Sequence, residues 1–256
     1  TFGVTEHAPR VAEKFLFDEE IRRGWGPAKL AEMFDEYAAE LAQLVAEYAD
    51  QLDVLRAFEA EAVPDDSYPE LMLGYKKRYG FDYMVGSVHH ISEIVIDGPP
   101  DLYNKAADAV GGIEPLAVAY YEAVARMVKA LRPEVVSHLD LVRRNAPTPE
   151  SVETDKAKSA ALDTLDVIAD TGSILDVNTA GIRKGLGCPY PRPWLLREAH
   201  ARGIPFCFGD DSHGPEQVGY GLEDARVYLL EHGVETITAL RRREGRIVRE
   251  TVSLAG

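Results

Sequence analysis

Five apolar stretches in this chain end in a histidine or an acid, and no other feature constrains the fold as tightly. They are Phe2-Gly3-Val4-Thr5-Glu6-His7, Val54-Leu55-Arg56-Ala57-Phe58-Glu59, Tyr83-Met84-Val85-Gly86-Ser87-Val88-His89-His90, Glu134-Val135-Val136-Ser137-His138, and Ile204-Pro205-Phe206-Cys207-Phe208, which runs into Gly209-Asp210-Asp211-Ser212-His213. Strands that each carry their polar residue at the C-terminal end suit a barrel of parallel strands, where those ends collect on one rim and build a site. The Asp211-Ser212-His213 spacing hands such a rim two ligand-type side chains one residue apart.

Between these stretches the pattern changes to helical spacing. Residues 28–48 carry Leu30, Met33, Phe34, Tyr37, Leu41, Leu44 and Val45 at that spacing, which predicts an amphipathic helix. Strands are expected at 54–61, 81–89, up to His138, 173–178 and up to Gly209. Helices are expected from near Pro69, at 101–110, 115–131, 152–171 and 193–202. The segment after His7, through Gly24 to Pro27, reads as irregular. Strand alternates with helix throughout, the order of a mostly parallel sheet or barrel. From about residue 223 come a helix, a strand-like Glu235-Thr236-Ile237-Thr238, a turn at Arg241-Arg242-Arg243-Glu244-Gly245-Arg246 and a second strand-like run at 247–254. The arginine run is read as a solvated hairpin or loop. No repeat or linker divides the 256 residues, so a single domain is expected, with the C-terminal part as its extension.

A net charge of −15, from 28 Lys and Arg against 43 Asp and Glu, argues against a nucleic-acid or anionic-membrane surface, which would be basic. A small anionic substrate would then need locally concentrated positive charge, such as metal ions. Of the two cysteines, Cys188 and Cys207, the second lies in an apolar run where a thiol packs as a small hydrophobe. No disulfide is expected, in keeping with a reducing compartment. No apolar run approaches the roughly 18 residues that span a bilayer, and residue 1 is not followed by a basic then apolar leader. The expectation is a soluble, cytoplasmic protein that binds a small molecule and neither nucleic acid nor membrane, with homo-oligomerisation left open.

Of seven histidines, His7, His89, His138 and His213 fall at the ends of different expected strands, beside Glu59 and Asp211 at equivalent positions. His200 and His232 fall on helices and read as structural, and His90 is ambiguous because neighbouring side chains on an extended segment point apart. One such histidine alone is more often a hydrogen-bonded structural residue. Four on separate strand ends point to a metal site, and imidazole mixed with carboxylate suits zinc, iron or manganese.

At these residues the chain resembles the PHP (polymerase and histidinol phosphatase) family of phosphoesterases, and within it the histidinol-phosphate phosphatases. The matching motifs are Val4-Thr5-Glu6-His7, Phe58-Glu59-Ala60-Glu61, Phe81-Asp82-Tyr83-Met84-Val85-Gly86-Ser87-Val88-His89, Ser137-His138-Leu139-Asp140, Asp176-Val177-Asn178-Thr179-Ala180-Gly181-Ile182-Arg183 and Gly209-Asp210-Asp211-Ser212-His213. The resemblance implies a distorted (β/α)7 TIM-like barrel holding two to three divalent metal ions, zinc, iron or manganese, on its C-terminal rim. Members normally open with a strand carrying His-x-His, and this sequence starts beyond that point. The expectation is a chain shortened at its N-terminus, the alternative a divergent member with a reduced site.

The implied activity is metal-dependent hydrolysis of L-histidinol phosphate to L-histidinol and phosphate in histidine biosynthesis. Glu59 would bridge two ions, His89 and His138 would complete one of them, Asp211 would serve the ion that normally takes His-x-His, and His7 and His213 a third. Asp211 and His213 are thus expected in catalysis as well as in metal binding. Arg183, five residues after Asn178, is the preferred phosphate clamp and Arg143 the second choice, because guanidinium matches phosphate with a two-pronged contact. Asp140 would protonate the leaving alcohol or orient a ligand, and Glu6 or Glu61 would meet the cationic end of the substrate. The rival readings are a phosphoesterase of the same fold acting on nucleotides or other small phosphate esters, and a metal-binding barrel without catalysis.

Overall fold

The computed structural model describes residues 1–255. In chain order the elements are β1 (Phe2–His7), α1 (Asp18–Arg23), α2 (Pro27–Glu47), β2 (Val54–Glu61), α3 (Tyr68–Tyr79), β3 (Val85–Ser87), β4 (His90–Ile91), β5 (Ile94–Val95), α4 (Pro100–Val110), α5 (Ile113–Leu131) and β6 (Val135–Val136). After these come α6 (Asp155–Thr171), β7 (Ile174–Asn178), α7 (Ala180–Arg183), α8 (Pro193–Ala201), β8 (Phe206–Gly209), α9 (Leu222–Glu231), β9 (Thr236–Arg243) and β10 (Arg246–Ser253). Six strands form one parallel sheet in the order β1-β2-β3-β6-β7-β8, curled into a half-barrel with helices outside. The strand ends therefore face one side, as the apolar stretches predicted.

Local chemistry explains the main supports. Pro27 opens α2 at its first turn, where the missing N–H costs nothing. The buried Leu30, Phe34 and Leu41 then face the sheet. Tyr37, also on α2, sets its hydroxyl between the carbonyls of Val4 (2.9 Å) and Ala57 (2.7 Å), fastening β1 to β2 near the rim. Thr154 caps α6 by accepting from the Ala157 N–H at 3.3 Å, and the helix stops at Gly172, whose φ of 70° needs no Cβ relief.

Three expectations change. The strand expected at 81–89 pairs only over Val85–Ser87, because Asp82 and Met84 are engaged elsewhere. The Met84 N–H donates to Glu134 Oε2 at 2.9 Å, and Asp82 Oδ2 accepts from the Arg56 N–H at 2.8 Å. Likewise β6 stops at Val136, and the chain reaches His138 with a φ of 25° that no strand tolerates. The segment after His7 is not irregular throughout: it contains a short 3-10 turn and α1.

The arginine run is a hairpin, as read, but it is not simply solvated. β9 and β10 pair antiparallel, and Leu240 and Ile247 pack against Leu55, Ala57, Tyr83, Val135 and Ile174 at the N-terminal mouth of the half-barrel. Arg242 reaches Asp82 with both terminal nitrogens, at 3.0 and 2.6 Å. Both cysteines are free, and among the described residues no helix is long and apolar enough to cross a membrane.

Candidate active site

Parallel pairing sets His7 of β1 beside Glu59 of β2, and Glu61 beside Ser87 of β3. Because side chains alternate along a strand, Glu59 and Glu61 share a face. His89 lies two residues beyond β3, and His138 two beyond β6. Glu59 Oε1 is 3.3 Å from His138 Nε2 and 3.7 Å from His89 Nε2, and the two Nε2 atoms are 3.3 Å apart. Glu59 Oε2 turns the other way, 3.1 Å from His7 Nδ1. Glu61 closes a second group, with Oε1 at 3.0 Å from His7 Nδ1 and Oε2 at 2.9 Å from His89 Nδ1. Glu59 with His89 and His138, and His7 with Glu61 and His89, are the two ligand-spaced groups among the described residues.

Buried partners hold this cluster. The Ser87 hydroxyl donates to Glu59 Oε1, and Asp176 of β7 accepts the His138 N–H at 2.6 Å, fixing that residue in its strained conformation. Burial disfavours the imidazolium of His7, but the Glu59 and Glu61 carboxylates outweigh it and raise its pKa to about 9. His138 reaches about 9 in the same way, burial opposed mainly by Glu59. Burial also tends to raise Glu59 and Glu61, yet the histidines hold both below the usual carboxylate range. An ion entering here therefore displaces protons.

A cleft of about 740 Å³ opens over the cluster, lined in part by His7, His89, Arg183, Lys184, Asp211 and His213. Asp211 follows β8 with a φ of 50°, and its carboxylate lies 3.3 Å from Lys184 Nζ. His213 is 59% exposed at its side chain, its Nδ1 is 2.8 Å from the Asp211 carbonyl, and its ring is 6.3 Å from that of His7. Both line the cleft, and neither falls in the two ligand-spaced groups. Glu6 also lines the cleft.

Four expected roles are corrected by these surroundings. Asp140 is fully buried and takes no part in the cleft: its Oδ2 accepts from Arg192 Nε at 3.0 Å and ion-pairs with Arg143 Nε at 3.0 Å. It has no path to a leaving alcohol. Arg143 is buried too, donating to the carbonyls of Cys188 and Pro189 and lying over the Tyr190 ring, so it is no phosphate clamp. Glu61 is spent on His7 and His89 and does not line the cleft, so it meets no substrate cation. Arg183 does line the cleft, but its Nη1 and Nη2 donate to the Asp210 and Asp211 carbonyls at 2.8 and 2.6 Å. Its two-pronged contact thus holds the Asp211 loop.

His90 resolves as structural. It is buried under Phe15 and Phe17, and burial lowers its pKa to about 4. His200 lies on α8, and His232 Nδ1 donates to the Tyr228 carbonyl. Sequence reasoning missed Lys184, which follows Arg183 directly, and Arg10, whose Nη1 is 3.8 Å from Glu61 Oε1. The Glu-x-Glu spacing at 59 and 61 was the available signal for the second carboxylate.

A curled parallel sheet with a nitrogen and oxygen cluster on its C-terminal rim defines a barrel-type fold built around a rim site. The chain belongs to the PHP domain family, which matches residues 1–180. A Schizosaccharomyces pombe protein named "Probable histidinol-phosphatase" is 34% identical over 246 residues, covering 94% of this chain and 79% of the relative. In fold, the Listeria monocytogenes hisK protein superposes with a TM-score of 0.75 at 24% identity, over 87% of each chain. The Lactococcus lactis histidinol phosphate phosphatase, solved with zinc, L-histidinol and phosphate, gives 0.59 at 18% identity, over 84% of this chain and 79% of that one.

Proposed function

We propose that this chain is a metal-dependent phosphomonoesterase that hydrolyses L-histidinol phosphate to L-histidinol and phosphate in histidine biosynthesis. The observation that carries the chemistry is the convergence of Glu59, His89 and His138 on one point beside the cleft. Ligands 2.0–2.1 Å from a tetrahedral ion lie roughly 3.3 Å apart, which is the spacing of both Nε2 atoms and of His138 Nε2 from Glu59 Oε1. The donor set fits zinc, iron or manganese. The relatives named for histidinol phosphate, and the neighbour solved with zinc, L-histidinol and phosphate, support the substrate.

Glu59, His89 and His138 would hold one ion, and Glu59 with His7 would serve a second. Bound there, divalent ions polarise the phosphoryl group and acidify water. Asp211 and His213 border the same cleft and would complete the ligand set or supply a proton to the leaving alcohol. Lys184 and Arg183 bring positive charge to the cleft wall, where a phosphate needs it in an otherwise acidic molecule. Glu6, which lines the cleft, would meet the cationic end of an amino-alcohol. Phe17 and Trp25 also line the cleft, Phe17 with its ring 5.5 Å from that of His7, and would give the site an apolar wall.

Phosphate release is the test, measured with histidinol phosphate, a nucleoside monophosphate and p-nitrophenyl phosphate, before and after chelation and on return of zinc or manganese. Histidinol phosphate should show the highest kcat/KM, and chelation should abolish turnover until metal is restored. Higher kcat/KM on the nucleotide would replace the substrate assignment, and undiminished activity of metal-free protein would overturn the metal mechanism.

A further inference from the structure

We infer that Glu61 is a positioning residue: one buried carboxylate that takes the Nδ1–H of both His7 and His89, leaving Nε2 as the nitrogen each ring has for an ion. The inference rests on the metal-dependent reading above. A neutral imidazole has one N–H and one lone pair. The nitrogen that donates to a carboxylate cannot also ligate, so the carboxylate chooses the tautomer. His89 shows both halves of that choice. Its Nδ1 lies 3.1 and 2.9 Å from the two oxygens of Glu61, and its Nε2 faces His138 Nε2 at 3.3 Å and Glu59 Oε1 at 3.7 Å. His7 Nδ1 is hydrogen-bonded to Glu61 Oε1 at 3.0 Å, with Glu59 Oε2 also near at 3.1 Å, so both carboxylates favour the proton on Nδ1 and leave Nε2 free.

By distance alone, Glu61 could instead be a ligand, since it forms a ligand-spaced group with His7 and His89. Its other surroundings decide against that. Both of its oxygens are already engaged, Oε1 3.0 Å from His7 Nδ1 and the pair 3.1 and 2.9 Å from His89 Nδ1. Behind it stands Arg10, with Nη1 3.8 Å from Glu61 Oε1. That guanidinium is itself fixed: Nη1 donates to the Ala8 carbonyl at 3.0 Å, Nη2 pairs with Glu20, and the group lies 4.8 Å over the Phe17 ring. A cation held against one side of a carboxylate repels a second cation there. It also offsets the charge of a carboxylate that burial strips of water. Glu20, Arg10 and Glu61 thus form a buried chain ending on two histidines, and Glu20 sits on α1 at the edge of the same cleft.

The test uses the full chain labelled with 15N-histidine, loaded with zinc, and read by two-bond 1H–15N correlation, with His7→Asn and His89→Asn for assignment. His7 and His89 should each show a protonated Nδ1 and a zinc-bound Nε2. Glu61→Gln should weaken zinc about 10- to 100-fold in competition with a chromophoric chelator, the usual loss when an orienting partner of a metal-bound histidine is removed. Glu61→Asp, which keeps the charge, should recover part of it. Zinc bound through Nδ1 of either ring, or wild-type affinity in Glu61→Gln, would overturn the positioning role while leaving the metal-dependent reading intact. Failure of the wild-type chain to bind zinc would overturn both. The tautomer measurement needs only folded wild-type protein, so poor folding of a Glu61 variant leaves the question decidable.

Discussion

The two ends of the half-barrel pair their acids with different cations. At the N-terminal mouth, Asp82 is matched by Arg242 and Arg56, Asp53 Oδ2 accepts the Arg242 N–H at 3.0 Å, and Glu134 pairs with Lys76 at 2.5 Å. At the C-terminal rim, Glu59 and Glu61 are matched mainly by His7, His89 and His138. Arginine and lysine keep their charge at any ordinary pH, so the mouth is a permanent lock. Histidine exchanges its proton near neutrality and offers a lone pair, so the rim is a lock that an ion can open and replace. One set of strands thus separates stability at one end from chemistry at the other, the division found in barrels generally.

The strongest way to break that comparison is to cut each end in turn. Glu59→Ala or His138→Ala removes a proposed ligand and should lower kcat on histidinol phosphate by more than the roughly 10- to 100-fold that losing an orienting partner costs. His200→Ala, on α8 away from the rim cluster, should leave kcat unchanged. Steady-state assays with metal content measured in parallel decide the matter. A His200 variant as impaired as the His138 variant would erase the line between rim and structural histidines.

What the sequence revealed and concealed follows the same division. The repeating strand-end acids and histidines were legible, because a residue at the end of a strand has only one rim to join. The strand expected at 54–61 and the helix expected at 28–48 matched β2 and α2 closely, since each carries a periodic pattern between clear breaks. Direction after a strand end was not legible. Asp140 and Arg143 are sequence neighbours of His138, but the chain enters a 3-10 turn at Leu141–Arg143 and carries them into a buried pair with Arg192. Arg183, expected to clamp phosphate, does line the cleft, but only the fold shows that two backbone carbonyls occupy its fork. The close packing of β3 on α5 depends on Gly86, where a Cβ would come within 2.5 Å of Met127 Sδ. That contact joins residues far apart in the chain and leaves no local trace.

A smaller effect should follow from pH in metal-free protein. The raised pKa of His7 and His138, about 9 against an ordinary 6.5, means that their pairing contributes fully below about 6.5 and is lost as pH rises through about 9. Glu59 and Glu61, held below the ordinary carboxylate value, contribute above that value, and the contribution disappears as pH falls through their folded-state pKa. Metal-free protein should therefore melt highest at mildly acidic pH and lose stability toward about pH 9. Zinc-loaded protein, with neutral ligating histidines, should lose less over that range. Thermal melts at about pH 6, 7.5 and 9 with and without zinc measure this. Equal slopes in the two forms would mean that the rim charges are not coupled to the ion.

The smallest expected effect lies at the mouth, and it tests whether that end is purely structural. Arg242→Gln removes a partly exposed two-pronged pair with Asp82 but leaves Leu240 and Ile247 in place. Pairs accessible to water are worth at most about 1 kcal/mol, so Tm should fall by about 2–4 °C, as expected for a domain of this size. Because the pair lies at the opposite end of the strands from Glu59 and His138, kcat and zinc affinity should stay at wild-type values. A fall in zinc affinity without a fall in Tm would show that strain at the mouth reaches the rim, and the separation of the two ends would no longer hold.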